Sequence, residues 1–199
     1  MKKLPVEFYL KEDVIEMARS LLGKVLTTRL NGEEITSGYI TETEAYEGVT
    51  DRASHAFGGR NTARTATMFR QGGVAYIYLC YGIHHLFNVV TNRKGIPHAV
   101  LIRGIQPLEG IEIMASRTGK PLEHLKKING PGKLSKALGI TTRLDRTPLS
   151  GSKIWIEDKG LVIPEDKIKI TPRIGVDYAG EHAFWPYRFL VDEPLTEKV

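Results

Sequence analysis

Two glutamates and a tyrosine alternate in the stretch Ile40-Thr41-Glu42-Thr43-Glu44-Ala45-Tyr46. Side chains two apart on an extended strand share a face. Ile40, Glu42, Glu44 and Tyr46 therefore fall on one face, and Tyr39, Thr41, Thr43 and Ala45 on the other. A carboxylate within reach of a water can take its proton. An aromatic ring beside it offers an electron-rich surface to a flat cation. The plain alternative is a strand with an acidic solvent face. Arg103, among the apolar residues of 100–104, could hold that water or the carboxylate. Equally, it could be an ordinary ion-pair partner at a strand end.

Tyr76 and Tyr78 share a face of their own strand. They read either as core aromatics or as a platform that, with Tyr46 and His55, holds a flat base. Tyr81, beside Gly82 at a turn, is harder to place in a core and suits insertion between stacked bases. Gly130-Pro131-Gly132-Lys133 leads into a short helix and resembles a main-chain anion cradle. It lacks the spacing of a nucleotide-binding P-loop, so a nucleic-acid phosphate is its better candidate ligand, against a plain helix start. His55 with Glu42, Glu44 or Asp51 has no recognised metal-ligand spacing, and no metal is expected.

The elements that position these residues follow from periodicity. Residues 11–22 have helical spacing closed by Gly23. Residues 24–29 read as a strand, Asn31-Gly32 as a turn, and 39–46 as the strand after it. Residues 47–73 carry glycines, arginines and His55 in a loop of over 20 residues, a length that usually signals function. Residues 74–80 and 86–91 form a hairpin with Tyr81 at its tip. Residues 99–104 read as a strand, and 108–117 and 121–128 as helices. A third, short helix is ended by Gly139. Residues 153–157, 161–163, 167–171 and 187–191 read as further strands.

At 199 residues the chain is expected to form one domain, 1–199, with no repeat or linker dividing it. Its 41% apolar and 26% charged residues are ordinary for a soluble globular protein. The net charge of +5 leans mildly toward a polyanionic partner. The one cysteine, Cys80, excludes an intrachain disulfide and a cysteine-rich zinc site, which suits a reducing compartment. No secretory signal is visible, and no run approaches the ~20 apolar residues of a membrane span. A cytoplasmic location is expected.

Taken together, these pieces resemble the alkyladenine (3-methyladenine) DNA glycosylase family. The resemblance rests on Glu42-Thr43-Glu44-Ala45-Tyr46, Ser54-His55, Gly58-Gly59-Arg60-Asn61-Thr62, Met68-Phe69 and residues 76–82. It continues through Phe87-Asn88-Val89, Val100-Leu101-Ile102-Arg103, Pro107-Leu108-Glu109-Gly110, residues 129–134, Pro172-Arg173-Ile174-Gly175 and Ala179-Gly180-Glu181. It spans nearly the whole chain.

The resemblance implies a mixed α/β (α+β) fold with a curved, mainly antiparallel sheet, surrounding helices and a protruding β-hairpin. It implies Glu44 as general base and Arg103 as the residue placing the water. Tyr46, His55 and Tyr78 would hold the flipped base, and Asn88 would crowd the exocyclic amine of guanine-like bases. Tyr81 would fill the space the base leaves, with Met68 and Ile83 near the groove, and Arg60 and Lys133 would touch the backbone. The implied partner is double-stranded DNA containing damaged purines, met by a monomer that needs no cofactor. Two rivals remain: a non-catalytic damaged-DNA-binding protein, and a metal-dependent phosphoesterase built on Glu42, Glu44, Asp51 and His55.

Overall fold

The computed structural model describes residues 2–30, 32 and 34–195. The expected turn at Asn31-Gly32 lies partly outside the described residues, since Asn31 is not among them. The strands are β1 (Lys2–Lys3), β2 (Val25–Leu30), β3 (Glu34–Tyr46), β4 (Ala75–Cys80), β5 (His84–Thr91) and β6 (His98–Glu109). They continue with β7 (Ile128–Asn129), β8 (Ile154–Asp158), β9 (Lys169–Thr171) and β10 (Arg188–Leu190). The α-helices are α1 (Val14–Ser20), α2 (Ile111–Thr118) and α3 (Pro131–Leu138). Among the described residues all ten strands join one antiparallel sheet, whose main path runs β1-β8-β2-β3-β6-β5-β4. The short strands β10 and β7 add to β3 and β6, and β9 adds to β10. The fold is thus α+β with a curled antiparallel sheet.

Period-two alternation sorts the sheet into two faces. Ala45, Ala75, Ile77, Phe87, Val89, Val100 and Ile102 enter the main core. There α1 packs on β3 and β6, and α3 on β5 and β6. Their alternates, Tyr46, Tyr76, Tyr78, Asn88, Ala99, Leu101 and Arg103, line a pocket on the opposite face. Local signals fix the helices. Asp13 caps α1 by accepting from the Ile15 and Glu16 amides at 2.7 and 3.0 Å. Pro131 opens α3, and Gly139 closes it in the left-handed conformation at φ 69°.

Four expectations are corrected. First, residues 121–128 form no helix: a 3-10 turn (Leu122–His124) follows Pro121, and β7 then pairs with β6 in extended form. Second, residues 161–163 are not a strand. Leu161 and Ile163 use their apolar side chains to pack beside the main core without joining the ladder. Third, Leu108 belongs to β6, and the helix starts only at Ile111, after Gly110 at φ 71°. A Cβ on Gly110 would stand 2.2 Å from the Ile35 carbonyl oxygen, so only glycine fits there.

Fourth, Ile40 does not share the face of Glu42. The β3–β6 register shifts between Ile40 and Glu42 and again between Glu42 and Thr43. These bulges break the alternation and put Ile40 into the main core. Among the described residues no helix is long and apolar enough to cross a membrane.

Candidate active site

The catalytic candidates lie beside the β3–β6 bulges. Glu42 pairs with Gly104 and Thr43 with Ile102, which leaves Arg103 as the extra residue on β6. Arg103 is two residues from Leu101, the register partner of Glu44, so it lies on the same face as Glu42 and Glu44, with its Nε donating to Glu42 Oε1 at 2.8 Å. The same Nε stands 3.4 Å from Glu44 Oε1. Gly130 N–H donates to the Arg103 carbonyl at 2.8 Å, so the stretch entering α3 pins the bulge.

Glu44 is fully buried, behind Tyr46, Arg103 and Ile174, which line the pocket. Its Oε1 accepts from the Ile174 amide at 2.8 Å, and its Oε2 accepts from the Tyr46 hydroxyl at 2.8 Å. Burial pushes the Glu44 carboxyl above the usual glutamate range. Arg103, the Ile174 amide and the Tyr46 hydroxyl pull against this, and Glu42 adds to it. Burial and the Glu44 carboxylate push the Tyr46 hydroxyl well up, so it remains a proton donor to Glu44.

The pocket is about 170 Å³. A cavity of about 150 Å³ takes up benzene, so this one suits a single flat ring system. Tyr46, His55, Tyr76, Tyr78 and Asn88 all line it. The His55 ring meets Tyr78 edge-on at 4.6 Å between centroids. Its Nδ1 pairs with the Tyr76 hydroxyl at 2.9 Å, and Arg64 approaches Nε2 at 3.4 Å. Burial and the Arg64 charge lower the His55 pKa to about 4, so the imidazole is neutral at physiological pH. The Asn88 amide donates to the Tyr76 and Leu86 carbonyls at 3.2 and 3.3 Å, which fixes its side chain at the pocket wall.

At the rim stands the hairpin tip. Tyr81 and Gly82 have φ of 51° and 75°, and the Ile83 amide bonds the Cys80 carbonyl at 3.1 Å. Two successive positive φ values make a type I′ turn. A tyrosine is an uncomfortable occupant of that conformation. Yet Tyr81 is 91% exposed and Ile83 72% exposed.

Met68 departs from the expected groove position. It is only 2% exposed and packs with Ala56, Tyr76, Val90 and Ala99 as part of the pocket wall. A 3-10 turn (Ala66–Phe69) directs it inward. Arg60 and Lys133 are exposed and outside the pocket. A larger cavity of about 540 Å³ lies between α1 and residues 161–168 and contains none of these side chains.

A family model described as Methylpurine-DNA glycosylase (MPG) matches residues 7–194, nearly the whole chain. The chain belongs to the methylpurine-DNA glycosylase family. A relative from Chlamydia abortus is 49% identical over 191 residues, covering 94% of this chain and 97% of its own. One from Desulfitobacterium hafniense is 41% identical, covering 97% of each chain. One from Bacillus cytotoxicus is 43% identical, covering 94% of this chain and 95% of its own. Each of the three bears the name "Putative 3-methyladenine DNA glycosylase".

In this member of the methylpurine-DNA glycosylase family, several site residues come from segments whose sequence carries no local signal of a role. Arg173 forks onto Asp51: its Nη2 donates to Oδ1 at 2.9 Å and its Nη1 to Oδ2. Nη1 also donates to the Ala45 carbonyl at 2.9 Å, and the guanidinium lies 4.8 Å from the Tyr46 ring centre. This buried pair ties the loop carrying His55 to the loop that offers the Ile174 amide to Glu44. Asp51 is thereby engaged and fully buried, which removes it from the metal-ligand set of the phosphoesterase rival. Among the described residues no group of three or more histidine, cysteine, aspartate or glutamate side chains could hold a metal.

Arg188 on β10 donates to Glu42 Oε1 at 2.7 Å. Tyr178 lines the pocket mouth, with its hydroxyl donating to the Ala53 carbonyl at 3.0 Å. The paired histidines have structural contacts. His85 Nδ1 accepts from the Thr142 amide at 3.3 Å, and His84 covers Gly132, where a Cβ would come within 2.9 Å of its ring.

Proposed function

We propose that the protein, acting over its whole length 1–199, is a monofunctional DNA glycosylase that removes alkylated or deaminated purines from duplex DNA. The observation that carries this reading is the buried Glu44 carboxylate held against Tyr46, Ile174 and Arg103, three residues that line an aromatic pocket of one-ring-system size whose lining also includes Tyr81. Family membership and the names of the relatives support a DNA glycosylase reaction. The rest of the reading is chemical.

The target purine leaves the stack and enters the pocket, while Tyr81 fills the gap. Tyr46, His55 and Tyr78 contact the flat base, and Asn88 crowds a 2-amino group. A water beside Glu44 attacks C1′ of the sugar. The new O–C1′ bond forms as the C1′–N bond to the base breaks, and the bonding pair leaves with the base. Glu44 takes the water proton, and Arg103 orients the water with nitrogens that carry no protein partner among the described residues.

A purine methylated on N3 or N7 is already cationic and leaves as a neutral molecule, so it needs no acid. A neutral lesion such as hypoxanthine needs a proton, and His55, with its pKa near 4, is a poor source of one at neutral pH. Among the described residues no lysine lines the pocket, so no Schiff base to the sugar is expected and the strand stays unbroken. Arg60, Lys133 and Ile83 would meet the duplex outside the pocket. The protein would work as a cytoplasmic monomer on nucleoid DNA, without a cofactor.

The test is incubation of duplexes carrying one methylpurine, ethenoadenine or hypoxanthine with purified protein and a chelator. Free base, and abasic sites that break only after alkali, support the proposal. Tight lesion binding with no base release would move the function to a damage-binding protein. Prompt strand breaks without alkali would contradict the monofunctional assignment.

A further inference from the structure

Glu42 has no part in the chemistry just described, yet it is 6% exposed and sits two residues from the base. One of its oxygens, Oε1, accepts from two guanidinium groups: Arg103 Nε at 2.8 Å and Arg188 Nε at 2.7 Å. The three residues come from three adjoining strands, β6, β3 and β10, and Arg188 lies directly opposite Glu44 in the β10–β3 register. The arrangement makes Glu42 and Glu44 competitors for one arginine. Glu42 holds Arg103 Nε at hydrogen-bond distance, and Glu44 faces the same nitrogen at the longer 3.4 Å.

That competition matters for a general base. A carboxylate has about four acceptor positions. The Ile174 amide and the Tyr46 hydroxyl take two of those on Glu44. A guanidinium closing on it in the usual fork would take the rest. Such a base would have no lone pair left for water, and its affinity for a proton would fall. We propose that the Arg188–Glu42 pair is a positioning device that holds Arg103 off Glu44, leaving the base a lone pair not taken by protein and turning the free nitrogens of Arg103, which lines the pocket, to the water. This inference rests on the reading of Glu44 as the base. Arg188 keeps the charge of Glu42 compensated, so that a second buried carboxylate is tolerated beside the first.

The groups facing Glu44 are Tyr46 and Glu42 on its own strand, Arg103 on β6, Arg188 on β10, and Arg173 with its partner Asp51 on the two loops. Two changes to the device act on Glu44 in opposite directions. Glu42→Gln removes a like charge and releases Arg103 toward Glu44. The acid limb of the single-turnover rate profile then moves to lower pH, and the plateau rate falls. Arg188→Met leaves Glu42 charged without its second partner, so the acid limb moves to higher pH. Each shift is on the order of one pH unit. Arg188→Lys returns most of the second shift by restoring the charge.

The experiment measures base release against pH for wild type and these three variants, with chemical denaturation confirming that each is folded. Opposite displacements, with rescue by lysine, establish the device. Limbs that stay in place, or move the same way in both variants, overturn it even where rates fall. If wild type releases base, and Glu44→Gln does so equally fast, the reading of Glu44 itself fails. That result is distinct from a failure of Glu42 and Arg188.

Discussion

Removing Asp51 tests whether the pocket is held together from behind by a buried ion pair. Asp51→Ala deletes both carboxylate contacts to Arg173 and the 2.9 Å bond that Oδ1 accepts from the Ala53 amide. Both side chains of the pair are fully buried. Breaking a buried pair from one side costs about 3–5 kcal/mol, because the remaining charge is left uncompensated. Arg173 retains the Ala45 and His182 carbonyls at 2.9 and 3.0 Å and the faces of Tyr46 and Tyr187, which places the loss near the lower figure.

For a chain of this size, about 3 kcal/mol lowers the melting temperature by roughly 6–12 °C. Calorimetry or urea denaturation reads this directly. Arg173→Met added to Asp51→Ala removes the stranded charge and fills the space between the two tyrosines. The double variant should therefore recover part of the loss, with a coupling energy of about 1–3 kcal/mol. A fall in melting temperature below about 2 °C for Asp51→Ala, or strictly additive effects in the double variant, would refute the argument.

Other outcomes follow from the same geometry. Tyr81→Asn relieves a tyrosine at φ 51° with a residue that tolerates this conformation. It should leave stability unchanged or raise it by up to about 1 kcal/mol in urea denaturation, while affinity for a lesion duplex in a fluorescence titration drops. Lost stability would show that Tyr81 packs against the fold. The Glu44 pKa is raised above its unfolded value of 4.5, so the native state binds the extra proton and loses stability as pH rises through that window. Glu44→Gln should accordingly be more stable than wild type at pH 7, and this advantage should fade as pH falls toward the unfolded glutamate value. An advantage that grows on acidification would reverse the sign of the argument. An NMR titration should find the His55 imidazole neutral down to about pH 4, and Arg64→Ala should raise its midpoint; a His55 midpoint unmoved by that change would separate the two residues.

Much of the site could be read from the sequence because it rests on short-range alternation. The two-residue period around Glu44 and around Tyr76 and Tyr78 puts these side chains on one face, and the turn chemistry of Tyr81-Gly82 puts them beside an exposed tip. Other features escaped because they are set by partners far along the chain. The bulge that leaves Arg103 unpaired opposite Glu42 depends on register between β3 and β6, and the neighbouring register shift puts Ile40 into the core. The Ile174 amide, Arg173 and Arg188 reach the site from more than 120 residues away. Residues 121–128 have apolar spacing consistent with a helix, but pairing of Ile128 with Ile105 draws their end into the sheet. Met68 follows an arginine- and threonine-rich loop that gives no local sign that its side chain turns inward.

The central claim is that Glu44 activates the water that displaces the base. The most direct measurement is single-turnover base release from a methylpurine or ethenoadenine duplex under saturating enzyme, comparing wild type with Glu44→Gln in the presence of a chelator. Loss of a general base should slow release by about 10²–10⁴-fold, while lesion affinity changes little. Release by the variant within a few-fold of the wild-type rate would contradict the assignment.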